Sequence, residues 1–316
     1  MPWIVNAPKG YFQYVPPAFI TLLLLIGQLS FGMLDSYVNV VVAICAAIIT
    51  EMVLSKLLLG TWKSFASAYI SGISVGILIR SPMIWPYIIT AVLSIMSKYV
   101  LRYKGRHLWN PSNFGVSWML FMAPLDVAGL SIQWGSNFTA MAVIWILGLI
   151  IVYRAKRLHV TVTYVLSYVI LAYIRSLIVG DTFLAEVSPL TGPMYQLFIF
   201  FMMTDPPTSV STRKGRIIVA ILVALVEFVL RLNSFIYAPF YALFLVGPVA
   251  KYIDLRTAPY TSKMISAIDP PAIARPPIES ANPYPNTFWG VAWAPTRLYW
   301  TATSQPKKTI PTSIPG

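Results

Sequence analysis

Ser71-Gly72-Ile73-Ser74-Val75-Gly76-Ile77-Leu78-Ile79-Arg80-Ser81-Pro82 opens on a hydroxyl residue and glycine, runs apolar, and stops at proline. A second stretch reads as a version of it: Thr191-Gly192-Pro193-Met194, an apolar run, then Thr204-Asp205-Pro206-Pro207. Each is about half a bilayer long, and the two occupy matching places in the two halves of the chain. Paired short hydrophobic segments interrupted by Gly or Pro point to a site between inverted repeats of a membrane protein.

The composition agrees. Hydrophobic residues make up 57% of the 316 residues and charged residues 10%, which excludes a soluble globular domain. The net charge of +13 lies largely in short loops between apolar runs, where it sets membrane orientation rather than binding nucleic acid. Cys45 is the single cysteine, so the chain alone forms neither an internal disulfide nor a cysteine-ligated iron–sulfur cluster. His107 and His159 both lie among Arg and Lys in loops, which excludes a bis-histidine haem within the membrane. The first apolar run has no small-residue cleavage site after it and reads as a retained helix.

Ten apolar segments are candidate spans: 17–34, 37–59, 64–80, 83–101, 112–130, 138–153, 160–179, 190–204, 216–232 and 235–250. The expected fold is an all-α integral membrane protein of about ten transmembrane helices. An N-terminal segment, 1–16, precedes a first five-helix repeat over 17–134 and a second over 135–255, with the boundary near Gly135. Five is odd, so the second repeat must be inverted relative to the first. Charge tests this independently. With the N-terminus cytoplasmic, the inner loops before the tail hold thirteen basic residues, from Lys9 through Lys56, Lys98 and Arg154 to Arg216. The outer side has Arg80, Arg175 and Arg231, together with Asp35, Asp126, Asp181 and Glu186. Thirteen against three places both termini in the cytoplasm, as in a protein of a bacterial-type inner membrane.

From residue 251 the character changes: eleven of the 25 prolines follow, with Trp289, Trp293 and Trp300 and no run long enough to span. Residues 256–316 read as a Pro-rich extended cytoplasmic tail, unable to fold alone and suited to binding partner subunits through its tryptophans.

Two polar clusters carry candidate chemistry. In the loop Lys98–Gly115, Asn110 and Asn113 offer amides that donate and accept, as a heteroaromatic ring edge requires. Trp109 and Phe114 offer flat walls, and Lys98 a cation for phosphate. The same residues also read as a positive-inside loop with an Asn-Pro turn capping the next helix. The second cluster is Thr204, Asp205 and Thr208; Asp205 either joins a binding corner or begins a turn paired with Arg213 or Arg216. In the inverted topology the two clusters face one compartment and can close one pocket. Glu51 and Glu227 lie inside spans and are ion-path candidates. The alternative is structural pairing, of Glu227 with Arg231 at i+4 and of Glu51 with Lys56.

Taken together, Ser71-Gly72, Lys98, Gly105, Asn110-Pro111, the stretch Arg154–Val160, Thr191-Gly192, Thr204-Asp205-Pro206, Thr208-Ser209 and Gly215-Arg216 resemble the D subunit of Rnf complexes. They are similar also to the B subunit of sodium-translocating NADH:quinone reductases, with the likeness running in order over 17–255. The resemblance implies ten helices in two inverted repeats, flavin cofactors, and a role in passing electrons within a larger membrane assembly. One departure matters. Members with covalent FMN carry a Ser-Gly-Ala-Thr type site in a long outer loop after the fifth span. Here Asp126-Val127-Ala128-Gly129-Leu130-Ser131 is its only echo, with leucine where alanine belongs. The chain therefore resembles a shortened relative without covalent flavin, and Ser131 is a poor acceptor.

Three functions follow as expectations. The first is a redox subunit holding riboflavin or FMN noncovalently at Lys98, Trp109, Asn110, Asn113, Phe114, Thr204, Asp205 and Thr208. The second is a small-solute channel or transporter of the same repeat type. The third is a cofactor-free scaffold within a larger membrane complex. The topology is checked by labelling single cysteines: Lys104→Cys and Asp181→Cys should react from opposite sides of the membrane, and reaction of both from one side overturns it.

Overall fold

The computed structural model describes residues 15–32, 34, 36–130 and 138–257. Lys9, Asp35, Ser131, the boundary near Gly135, and Trp289, Trp293 and Trp300 of the tail lie outside the described residues. The helices of the first half are α1 (Val15–Phe31), α2 (Tyr37–Leu59), α3 (Ala66–Leu78), α4 (Trp85–Val100) and α5 (Pro111–Met122). Those of the second are α6 (Phe138–Arg154), α7 (Leu158–Val179), α8 (Phe183–Val187), α9 (Pro193–Leu197), α10 (Arg213–Leu232) and α11 (Ala238–Thr257). Among the described residues, three helices are long and apolar enough to cross a membrane: α2, α7 and α11. The structure is that of an all-α membrane protein, with strand among the described residues confined to two-residue pairs.

The opening motif explains itself through packing. Gly72 and Gly76 lie one turn apart on α3 and face α2. A Cβ at Gly72 would meet the Ile44 Cα at 2.6 Å, and one at Gly76 the Val40 Cα at 2.9 Å. Ala68 on α3 and Ala43 and Ala47 on α2 are all fully buried beside them. Where lipid is as apolar as leucine, such small-residue seams let backbones approach and gain dispersion contact.

α3 is only 13 residues, or about 20 Å at 1.5 Å per residue, short of the roughly 30 Å hydrocarbon core. Its chain continues as β1 (Ile79–Arg80), paired antiparallel with β4 (Ala128–Gly129). Leu130 N–H donates to the Leu78 carbonyl at 2.8 Å. The exposed backbone at the helix end is thus satisfied within the protein, as hydrocarbon requires. The same pairing shortens α5. The sequence predicts a span over 112–130, whereas helix ends at Met122. Pro124 disfavours helical geometry at Ala123, and the chain turns to become β4. A hairpin of β2 (Arg102–Tyr103) and β3 (Arg106–His107) links α4 to α5. Its Lys104-Gly105 turn has positive φ at both residues, 47° and 77°.

The second short segment is broken three ways: a 3-10 turn over Ser188–Thr191, then α9, then a π turn over Phe198–Met202. Gly148 of α6 makes room for this last turn, since a Cβ there would sit 2.4 Å from the Phe200 ring. Around these pieces α2 packs on α3 and α4, and α4 on α5; α7 packs on α10, and α10 on α11. α1 meets α6, and α5 meets α11.

Gly72→Ala should lower stability by about 1–3 kcal/mol, because backbone rather than a flexible side chain blocks the new methyl. Thermal unfolding of the detergent-purified chain reads this. Gly247→Ala, whose nearest neighbour is a Leu243 side-chain carbon at 3.4 Å, should leave the midpoint unchanged or raise it.

Candidate functional site

The start of α5 and the end of the broken segment meet at one corner. Asn110 is the N-cap of α5: it holds extended backbone, φ −63° and ψ 124°, and its Oδ1 accepts from Asn113 N–H at 3.0 Å. Pro111 at the first helical position needs no partner for an amide proton. Across the seam, α11 carries Pro248 inside the helix. Proline has no N–H, so the Phe244 carbonyl four residues earlier loses its helical partner. Trp109 supplies the replacement, its Nε1–H donating to Phe244 O at 3.0 Å. One turn further up, Phe240 O accepts from Asn113 Nδ2 at 3.2 Å and from Ser117 Oγ at 3.1 Å. Phe114 stacks on Phe244 with ring centroids 5.5 Å apart. These four side chains sew α5 to α11.

From the other side, Thr204 Oγ1 donates to Phe200 O at 2.5 Å. Asp205 follows as the chain leaves the π turn, and its Oδ2 accepts from Thr208 Oγ1 at 2.7 Å. Asn110 also hydrogen-bonds the Asp205 carboxylate, so the two sequence clusters touch. Burial pushes the Asp205 carboxyl up to about 6 from 3.8, against the pull of Thr208, Asn110, Arg157 and Lys251. Lys251 is 1% exposed and donates to Ser209 O at 2.7 Å, while Asp254 accepts from Ser211 N–H and Oγ. α11 thereby holds the 205–211 turn. Partly buried beside this corner, His107 is held neutral, its pKa lowered to about 3 by desolvation and then by Lys98, Arg102, Lys251 and Lys63.

Lys98 does not join the corner. Its Nζ meets Glu51 Oε2 at 2.5 Å and Ser67 Oγ at 2.9 Å, and Tyr99 OH donates to Glu51 Oε1 at 2.7 Å. Glu51 is thus tied to α4, and Lys56 lies instead over the Trp62 ring at 5.4 Å. Glu227 departs from the i+4 reading as well. Its carboxylate accepts hydroxyls from Tyr164 of α7 and Tyr195 of α9. Arg231 turns to Glu186 at 2.8 Å and to Tyr168 OH at 2.6 Å, and Arg175 makes the second bond to Glu186. The reason is geometric: the tyrosines reach Glu227 from facing helices, while Glu186 lies within reach of both guanidiniums. Sequence reasoning missed Glu186, Tyr164, Tyr168 and Tyr195. The spacing of Tyr164, Tyr168 and Arg175 on one face of α7 was the available signal.

The corner encloses a space of about 40 Å³, lined by Trp109, Asn110, Thr208, Arg216 and Pro248 among others. That suffices for a few waters at most, whereas ligand sites run to several hundred Å³. A flavin ring does not fit the residues as arranged. The Trp109 and Asn113 donors are committed to α11 carbonyls, Phe114 is stacked, and Lys98 is elsewhere.

Residues 131–263 match the NQR2, RnfD, RnfE family. Over 96 residues the chain is 33% identical to a protein of Methanosarcina acetivorans, the D subunit of an ion-translocating oxidoreductase complex. The match covers 30% of this chain and 32% of that protein, so the chain spans about a third of the length of the curated relative it matches. The resemblance read from the motifs is borne out.

The raised Asp205 pKa fixes a pH dependence. The folded chain holds this proton more tightly than the unfolded one, so the group adds stability below about pH 4 that is lost as pH rises through about 6. The span is roughly 2–3 kcal/mol. Asp205→Asn should flatten that part of the stability profile, measured by thermal unfolding between pH 4 and 7; an unchanged slope assigns it to other groups.

Proposed function

From the match of residues 131–263 to the NQR2, RnfD, RnfE family, we propose that this chain is the integral membrane subunit of an Rnf-type electron-transfer complex. The observation that carries the reading is the contact between Asn110 and Asp205. These residues belong to the Asn-Pro and Thr-Asp-Pro motifs on which the resemblance rests, and they lie far apart in sequence. A chain that kept both motifs and their junction kept the frame on which such a subunit is built.

The finer architecture follows from the same reading. Ten helices form two inverted five-helix repeats, 17–134 and 135–255. The recurrence of neighbours supports this, α2–α4–α5 in the first half and α7–α10–α11 in the second. Both termini face the cytoplasm, and the tail over 256–316 lies along other subunits of the complex. Any flavin is bound noncovalently at the corner of Asn110 and Asp205, and its entry requires Trp109 and Asn113 to release the α11 carbonyls. The sealed corner favours a second reading, in which the chain is the scaffold of the complex and electrons pass through its neighbours.

Purifying the tagged chain from native membranes in mild detergent separates these. Co-purification of redox subunits is expected, and their loss on removing residues 256–316; a chain recovered alone overturns the assignment. A visible spectrum with flavin bands whose colour stays in solution after acid precipitation supports the noncovalent flavin. A colourless complex selects the scaffold.

A further inference from the structure

Lys56 stands in the last turn of α2, where a membrane helix reaches the headgroup level. Ile49, Met52, Val53 and Leu57 share its face of the helix, at the i, i+3, i+4 and i+8 spacing of one stripe. All four are exposed, Ile49 by 61% and Leu57 by 74%. Trp62, in the connection after α2, folds back beside them and makes an apolar groove of about 420 Å³. The Lys56 ammonium sits 5.4 Å from the Trp62 ring centroid. No carboxylate among the described residues pairs with it, whereas Lys98, Arg175, Arg231 and Lys251 each have one.

We propose that this groove binds an anionic phospholipid, with one acyl chain along Ile49, Met52 and Val53 and the phosphate against the Lys56 ammonium. The inference rests on the membrane-subunit reading. Two observations choose lipid over a helix of another subunit. Helices associate in membranes through small residues, and α2 has already turned its small face, Ala43 and Ala47, toward α3. The groove face carries only large, flexible or branched side chains, which suit an acyl chain. Its one cation lies at the end, at the level of a headgroup phosphate and beside an interfacial tryptophan. A lysine in that position attracts anionic lipid and is indifferent to a zwitterionic one of the same tails.

The test uses the intact chain, stripped of lipid in detergent and offered equal amounts of phosphatidylglycerol and phosphatidylcholine with identical tails. Native mass spectrometry reads the lipid retained. Phosphatidylglycerol should be kept about fivefold in preference. Lys56→Gln should bring the two lipids to parity, while Lys56→Arg keeps the preference. Val53→Trp, which fills the groove, should lower retention of both. Equal retention by the unaltered chain, or an unchanged preference in Lys56→Gln, overturns the proposal. So does a cross-link from Val53→Cys to another subunit in the purified complex, which would give the groove to protein. Release of the chain from membranes by alkaline carbonate would instead defeat the membrane reading itself.

Discussion

A backbone carbonyl or amide left without a partner in hydrocarbon costs several kcal/mol, and the whole arrangement of this chain answers that constraint wherever a helix stops short. The seam between α5 and α11 is the plainest case. Pro248 frees the Phe244 carbonyl, and the indole of Trp109 closes on it at 3.0 Å. Asn113 and Ser117 hold the next carbonyl along. The end of α3 is met by a strand pair, and the break after α7 is carried through 3-10, α and π turns. Residues that look like binding groups in the sequence are, in the fold, partners of interrupted backbone.

The buried acids obey the same rule at higher stakes. Glu51, Glu186 and Glu227 are 2%, 3% and 1% exposed. Each is engaged by side chains on another element: Lys98 and Tyr99, Arg175 and Arg231, Tyr164 and Tyr195. A carboxylate so enclosed joins its helices strongly only while every partner stays in place, since removing one leaves charge buried without compensation. Two of the three sets tie α2 to α4 and α7 to α10, helix pairs that also pack closely in their halves. Electrostatics and packing therefore reinforce the same contacts.

Much of this was legible in the sequence because it is local. The bounds of α2 follow from its apolar run and from Gly60, which takes φ 68° and closes the helix. The Asn110 cap is announced by the proline after it. The meeting of the Asn-Pro and Thr-Asp-Pro corners follows from topology. Other features depend on partners distant in sequence and leave little local trace. Hydropathy continues through Pro124, so it could not distinguish the end of α5 from the strand that pairs with β1. Glu227 has a basic residue at the right helical spacing, yet two tyrosines, scored as apolar in any hydropathy scan, reach it first. Lys98 stands in a loop-like basic cluster but is drawn to the membrane side of α4 by Glu51.

The π turn over Phe198–Met202 has a consequence for how this corner tolerates change in length. A π turn holds one residue more than the α-turn it replaces, and the Thr204-Asp205 corner is placed after that surplus has been taken up. Deleting a single residue there would restore ordinary helix and rotate everything beyond it by about 100°. Asp205 would then point away from Asn110 although every motif residue remained. Chains of this kind can drift widely in composition along the broken segment, but its residue count is fixed by the angle at which the corner must arrive.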